Sequence, residues 1–251
     1  MNKLENYQLK NGVYILSAVN TEFEKLYLKV REIEKRIYSD EEVARLPFAS
    51  INNPHNGEWK LRQKSFNRFK LYLSNIKTDL TMFDLGCGNG WFSGQLSKRF
   101  NHTFYGFDIN IKELEQAARV FKNKNLNYCY ADIYEDVFTG KYFDLIILNS
   151  SIQYFSDINK LIEKLFYFLA DNGEIHIIDS PFYPESEIQS AKERTKKYYE
   201  NMNAPEMADK YFHHSFKTLE RFNYKLLYKP KKILGRIFQH ESPFPWIRII
   251  K

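Results

Sequence analysis

Two cysteines are too few for a disulfide framework. Cys87 falls in a glycine-rich turn and Cys129 on a predicted strand, so the sequence reads as that of a chain from a reducing cytoplasm. No apolar run approaches the roughly 18 residues that a spanning helix needs. The opening Met-Asn-Lys-Leu-Glu-Asn-Tyr is polar and charged where a secretory leader would be apolar. A membrane partner is therefore not expected. No repeat, low-complexity tract or long linker interrupts the N-terminal third, and no cluster of metal-ligating side chains stands out. Acids are the scarcer charge, 31 Asp and Glu against 37 Lys and Arg. Hydrophobic residues make up 43% and aromatic residues 17%, enough for a core, which excludes global disorder. A chain of 251 residues holds one large α/β domain with an appendage, or two small domains.

The stretch that organises the rest is Leu80-Thr-Met-Phe-Asp84-Leu-Gly86-Cys87-Gly88-Asn89-Gly90-Trp91-Phe-Ser93. Leu80 to Leu85 reads as a short apolar strand, and Trp91 opens an amphipathic helix. Glycines at such a junction let the chain turn sharply and leave peptide N–H groups open to a ligand. A dinucleotide fingerprint, G-x-G-x-x-G, places its last glycine one residue later than here, which disfavours a nicotinamide-dependent oxidoreductase. The pattern D-x-G-x-G-x-G, with its acid two residues before the first glycine, resembles motif I of the class I S-adenosylmethionine-dependent methyltransferases.

Downstream, strand and helix alternate. Strands are predicted at 103–107, 126–130, 143–148 and 174–178, with helices at 91–100, 111–121 and 158–170, the last capped by Asn172-Gly173. This regularity implies a parallel sheet covered on both faces. The resemblance implies more: a Rossmann-like, seven-stranded, mostly parallel sheet in the order 3-2-1-4-5-7-6, closed by an antiparallel hairpin at 224–228 and 245–250. It also implies a substrate-covering element, here a long charged helical insertion at 181–222. On this reading residues 77–251 form the methyltransferase domain and residues 1–76 an N-terminal helical extension or lid. In the extension, Thr21 and Glu24 fit a capping box for a helix to about Ile37, and Asp40-Glu41 begin a short helix. A third helix, 58–73, carries an apolar stripe of Trp59, Phe66, Phe69 and Leu73. Trp59 and Arg62 either pack that helix on the sheet or close over the cofactor.

The resemblance assigns the site position by position. Gly86, Gly88 and Gly90, with Cys87 and Asn89 between them, would face the methionine part of S-adenosylmethionine. Asp84 would orient that turn or bind the amino group through water. Asp108 would accept the ribose hydroxyls, with Ile109 beside it. Asp132 and Ile133 would meet the adenine, although Asp132 also suits a helix N-cap. Asn149 and Ser150 follow the fourth strand, where the methionine amino group and the transferring methyl belong. Gln153 and Tyr154 would line the acceptor pocket. Candidate bases are His213 and His214, then His55, while His176 reads as structural. The Asn-Pro-Pro-Tyr signature of base and glutamine N-methylation is absent, Asn149-Ser150-Ser151-Ile152 standing in its place. The expected activity is in-line methyl transfer to an oxygen or nitrogen of a small molecule or biosynthetic intermediate. The net charge of +6, with twelve Lys and Arg against five acids between Lys192 and Arg236, admits an anionic substrate. It keeps an RNA methyltransferase as the alternative, alongside a non-catalytic cofactor-binding subunit. Oligomeric state leaves no mark on the sequence.

Overall fold

The computed structural model describes residues 4–135, 142–230 and 241–251. Five consecutive strands build the centre: β3 (Thr81–Leu85), β4 (Thr103–Asp108), β5 (Leu126–Tyr130), β6 (Phe143–Asn149) and β7 (Leu169–Ile178). They pair in parallel in the order β5-β4-β3-β6-β7. Parallel strands covered on both faces need apolar residues on both, and the near-continuous run of β6, Phe-Asp-Leu-Ile-Ile-Leu-Asn, meets that need.

Two strands close one edge, β10 (Asn223–Tyr228) and β11 (Trp246–Ile250), with β11 antiparallel to both β7 and β10. This reproduces the expected order. The sheet nevertheless has nine strands, because β1 (Gln8–Lys10) and β2 (Val13–Ile15) add a hairpin at the far edge, β2 lying parallel to β5. Asn11 and Gly12 both have positive φ, 49° and 83°, as a type I′ hairpin turn requires. The extension expected to be helical thus begins as part of the sheet.

Successive β3 side chains divide between the two faces. Phe83 and Leu85 join the core under α6 (Ile158–Phe168). Met82 joins the opposite core, with α3 (Asn56–Ser74), α4 (Trp91–Ser97) and α5 (Ile111–Val120). α3 reaches this core through Trp59, Phe66, Phe69 and Leu73. A third cluster lies apart from both, where α1 (Glu22–Ile33) meets α7 (Glu185–Glu200) and the turns after it: Val30 packs with Tyr199, Ala204 and Met207.

Three local expectations are corrected. Thr21 makes no side-chain cap; its φ of −101° and ψ of 5° are not the extended geometry of a capping residue. The capping box belongs to Ser39 and Glu42, at the start of α2 (Asp40–Arg45). Gly173 is not a C-cap, since α6 ends at Phe168 and the chain passes directly into β7. The insertion is not one helix. It places β8 (Phe182–Tyr183) before α7 and β9 (His214–Ser215) after it, and the two short strands pair in parallel. No described helix is long and apolar enough to cross a membrane.

Candidate functional site

The glycine turn sits at the carboxyl end of β3. Its amides are held from β4: Gly86 and Cys87 N–H both donate to the Phe107 carbonyl, at 2.8 and 3.0 Å. Gly88 N–H donates to Asp108 Oδ2 at 2.8 Å. Gly86 and Gly88 have φ of 74° and 52°, where side chains are rare. A Cβ on Gly86 would lie 2.4 Å from Ser151 Cβ, and one on Gly88 would lie 3.1 Å from Glu113 Oε2. Ser151 therefore requires a bare backbone at Gly86, and the left-handed φ favours one at Gly88.

Two compartments adjoin this turn. The larger, about 250 Å³, is lined by Gly86, Gly88, Asp108, Ile109, Asp132, Ile133, Ser150 and Tyr154, together with Phe23 and Tyr27 of α1. The smaller, about 80 Å³, is lined by Trp59, Arg62, Cys87, Asn89 and Asn149, with Arg31 and Arg36. Gly86, Gly88, Tyr27, Glu113 and Ser150 line both. Gly90 lines neither; it is the N-cap of α4, with Tyr128 and Ala117 against it.

A groove of about 570 Å³ continues from these compartments through Arg31, Arg62, Ser150 and Tyr154. Its walls include Gln153, Asp179, Arg194, Tyr183, Tyr199 and Tyr211. α1 and the insertion together cover it. Phe23, Tyr27 and Tyr154 meet ring to ring at 5.8–5.9 Å. Tyr198 Oη donates to Glu34 Oε1 at 2.5 Å, and Lys29 Nζ to the Asn203 carbonyl at 2.7 Å. Phe212 N–H ties the insertion to the Gln153 carbonyl at 2.7 Å.

The carboxylates differ in their partners. Asp108 Oδ1 accepts from Ile109 and Asn110 N–H at 2.8 and 2.9 Å; burial raises its pKa and these amides pull it back. Asp84 is buried and makes no bond to the glycine turn, a task that falls to Asp108 and Phe107. Neither Asp84 oxygen has a hydrogen bond of good geometry among the described residues; burial pushes the carboxyl up to about 7, and Ser93, its polar neighbour, offsets only part of the rise. Asp132 is exposed and accepts from Tyr134 N–H at 2.9 Å across a turn, with no helix following it among the described residues. Asn149 is buried with its Oδ1 unpartnered among the described residues.

Trp59 is held by Tyr38 Oη at 3.0 Å and packs edge-on against Trp91 at 5.5 Å. Arg62 donates to Glu58 Oε1 at 2.9 Å and to Ser150 Oγ at 3.0 Å. Glu58, gripped by Arg62 and by Arg36, is held down to about 2 against its own burial.

The histidines are not brought to the cavity around the glycine turn. His213 bonds Thr195 Oγ1 at 2.9 Å and lines an exposed depression on the outer side of the insertion. His214 is buried, with Nε2 on the Ile152 carbonyl at 3.2 Å. His55 meets the Glu34 carbonyl at 2.7 Å, and His176 is a core residue holding Trp246 Nε1–H at 3.1 Å. Cys87 and Cys129 are buried free thiols whose pKa values burial raises, as packing residues would be. Lys231, Lys232 and Arg236 of the basic run lie outside the described residues.

Sequence reasoning missed four groups at the site: Tyr27 and Arg31 on α1, Glu113 on α5, and Asp179 after β7. Asp179 is the most unusual. It has a left-handed φ of 50°, and its Oδ1 accepts from Ser65 Oγ at 2.6 Å and Ser242 Oγ at 3.4 Å. Its Oδ2 is buried without a partner among the described residues, and burial raises its pKa while Arg62 lowers it.

The family model described as methyltransferase domain matches residues 76–241. A malonyl-[acyl-carrier protein] O-methyltransferase from Acetivibrio thermocellus is 27% identical over 136 residues, 53% of this chain and 48% of that one. A second protein so named, from Ilyobacter polytropus, is 29% identical over 43% of this chain and 41% of its own. The chain spans about half the length of the curated relatives it matches. Among solved structures, the plantazolicin methyltransferase BpumL in complex with SAH aligns with a TM-score of 0.52 at 18% identity, covering 90% of this chain and 99% of that one. A phosphoethanolamine N-methyltransferase of Haemonchus contortus gives 0.51 at 19% identity, over 76% of this chain and 47% of that one. These likenesses establish the fold.

Proposed function

The chain belongs to the methyltransferase domain family, and we propose that it moves a methyl group from S-adenosylmethionine to an oxygen or nitrogen of a small molecule or biosynthetic intermediate. One observation carries the reading: Ser150 borders the nucleoside-sized compartment, the smaller compartment and the covered groove. A donor on one side and an acceptor on the other can meet at that point.

The residues fit the cofactor. Gly86 and Gly88 line both compartments with bare backbone, where a Cβ would press on Ser151 or Glu113. Asp108 Oδ2 carries one backbone amide, which leaves it room for a ribose hydroxyl. Ile109 and Ile133 offer apolar faces to the adenine, with Asp132 at the rim. The unpartnered Asn149 carbonyl suits an ammonium, and Arg31 and Arg62 suit a carboxylate. When bound, the cofactor supplies an activated methyl and its own leaving group. The protein's part is to hold the nucleophile in line and keep water away. Tyr154, under the joined cover of α1 and the insertion, serves both ends. Residues 1–76 then act as a lid as well as a structural cap on the domain at 77–251.

The relatives' names favour an oxygen acceptor on an acyl group. A carboxylate needs no base, whereas a hydroxyl or a protonated amine does. For those acceptors we assign the proton to Asp179 in place of His213 or His214, because its free oxygen is oriented by two serines beside Arg62 and Ser150.

Calorimetry with S-adenosylmethionine tests cofactor binding, and absence of binding by folded protein sinks the proposal. A panel of carboxylate, hydroxyl and amine acceptors then sorts the nucleophile. Asp179→Asn should lower kcat on a hydroxyl or amine by roughly 10²–10⁴-fold with cofactor affinity unchanged. Undiminished turnover on such an acceptor removes Asp179 from the chemistry.

A further inference from the structure

Glu113 has no part in the reading above, yet it occupies a singular place. It is the one carboxylate among the described residues that lines both compartments beside the glycine turn. Asp108 and Asp132 line only the larger. The smaller compartment, with Arg31, Arg36 and Arg62 in its wall, has Glu113 as its sole acid among the described residues.

The side chain is lightly held. Asn110 Nδ2 reaches Oε2 at 3.4 Å, near the limit of a hydrogen bond. Asn110 Oδ1 accepts from the Glu113 backbone N–H at 3.1 Å, which fixes the main chain and leaves the carboxyl free to answer a ligand. The carboxyl lies against the unshielded side of Gly88. Charged and titratable groups face it from each neighbouring element. α1 contributes Arg31, Glu24 and Tyr27, the end of β4 contributes Asp108, the glycine turn Cys87, and the segment after β6 Tyr154. Arg31 is engaged with Glu34 Oε2 at 3.3 Å and with Tyr27 Oη at 2.9 Å, so Glu113 has no ion pair of its own among the described residues. Burial pushes it up to about 7, with Arg31 opposing and Asp108 and Glu24 adding to the rise.

We infer that Glu113 is the residue that reads the cofactor's positive charge, so that the site prefers S-adenosylmethionine to S-adenosylhomocysteine; this rests on the methyl-transfer reading above. The two molecules share nearly every hydrogen-bonding group. They differ by one methyl and one positive charge, on the sulfur that joins the nucleoside to the amino acid. A carboxylate at the seam of the two compartments is placed to feel that difference, and a partly desolvated site amplifies it. The proton balance follows. A bound sulfonium favours the carboxylate form, so a proton leaves with binding; once the methyl has gone, the neutral thioether lets Glu113 take a proton back. Loss of that attraction helps the product depart.

The test is calorimetry of S-adenosylmethionine and S-adenosylhomocysteine separately, at pH 7, in phosphate and in Tris, whose ionisation heats differ. Wild-type protein should favour the sulfonium and release a fraction of a proton on binding it, and less with the thioether. Glu113→Gln should weaken the sulfonium by about tenfold or more, change the thioether by less than about threefold, and abolish the difference in proton release; tenfold corresponds to about 1.4 kcal/mol. Glu113→Asp, which keeps the charge, should retain the preference and the proton release. Equal losses for both ligands would reveal a steric or uncharged role and overturn the inference, as would an unchanged Glu113→Gln. If Glu113→Gln fails to fold, Glu113→Asp decides, and loss of the preference there with the thioether still bound also overturns it. Wild-type protein that binds neither ligand refutes the methyl-transfer reading itself, an outcome distinct from the others.

Discussion

Asp84 and Asp108 each end a strand of the same sheet, and their surroundings give them opposite characters. Asp108 is loaded with three backbone amides. Asp84 has no hydrogen bond of good geometry among the described residues, only Ser93 beside it, and burial pushes its carboxyl up to about 7. An acid whose folded pKa is raised keeps a proton that the unfolded chain gives up. Asp84 therefore costs nothing below the ordinary aspartate range near pH 4. It destabilises progressively from there to about pH 7, and above that the penalty is constant, with a ceiling of roughly 4 kcal/mol for about three units. Asp84→Asn should therefore gain in Tm relative to wild type across that window and level off above it. A difference that stays flat from pH 4 to 8 contradicts the assignment. Asp84 and Asp108 were both legible as strand-end acids because strand ends are readable from apolar runs, but only Asp108 lines a compartment beside the glycine turn. Glu113 and Asp179 were not legible. One depends on which helical face meets Gly88, the other on a left-handed turn and on serines 114 and 63 residues away. No local pattern encodes either.

At the scale of elements, the same short motif met two fates. Thr21-x-x-Glu24 and Ser39-x-x-Glu42 both satisfy the capping-box pattern, but only the second is used. Glu24 is instead buried and turned across to α5, where its Oε2 accepts from Ile111 N–H at 2.5 Å and Lys112 N–H at 3.4 Å. A carboxylate satisfies unpaired first-turn amides wherever it comes from. It thereby pins α1, with Phe23, Tyr27 and Arg31, to the strand end that carries Asp108. Glu24→Ala should cost about 1–3 kcal/mol in denaturant titration and speed hydrogen exchange in α1 more than in β3 or β6. Uniform exchange across the chain would argue against a latch. The five central strands, α5 and α6 were readable because their periodicity extends over enough residues. β1 and β2 were not, being three residues each, with only the Asn11-Gly12 turn to announce them. A hairpin so short is stabilised by docking on β5, a non-local fact.

For the whole molecule, the question is how a chain with a net charge of +6 handles its cations near the site. Those on the groove are largely matched: Arg31 and Arg36 to Glu34, and Arg36 and Arg62 to Glu58. Those of α7 are exposed, with Lys196 only 3.9 Å from Glu200, and exposed pairs contribute little. The groove is therefore governed by its cover more than by its net charge. That cover is one body made of two distant parts of the chain, joined at Val30 against Tyr199 and Met207 and bridged by Tyr198 to Glu34. The seam lies outside both sheet cores, so breaking it should loosen the cover without unfolding the sheet. Val30→Asp would place a carboxylate in that apolar cluster, which is unfavourable without a partner. It should raise the dissociation rate of S-adenosylmethionine several-fold and expose α1 and α7 to protease. The far-UV signal of the sheet should persist, because β3 to β7 draw nothing from Val30. If instead the variant loses cofactor and sheet together in a single transition, the cover is an integral part of the fold and the two-part view of the molecule fails.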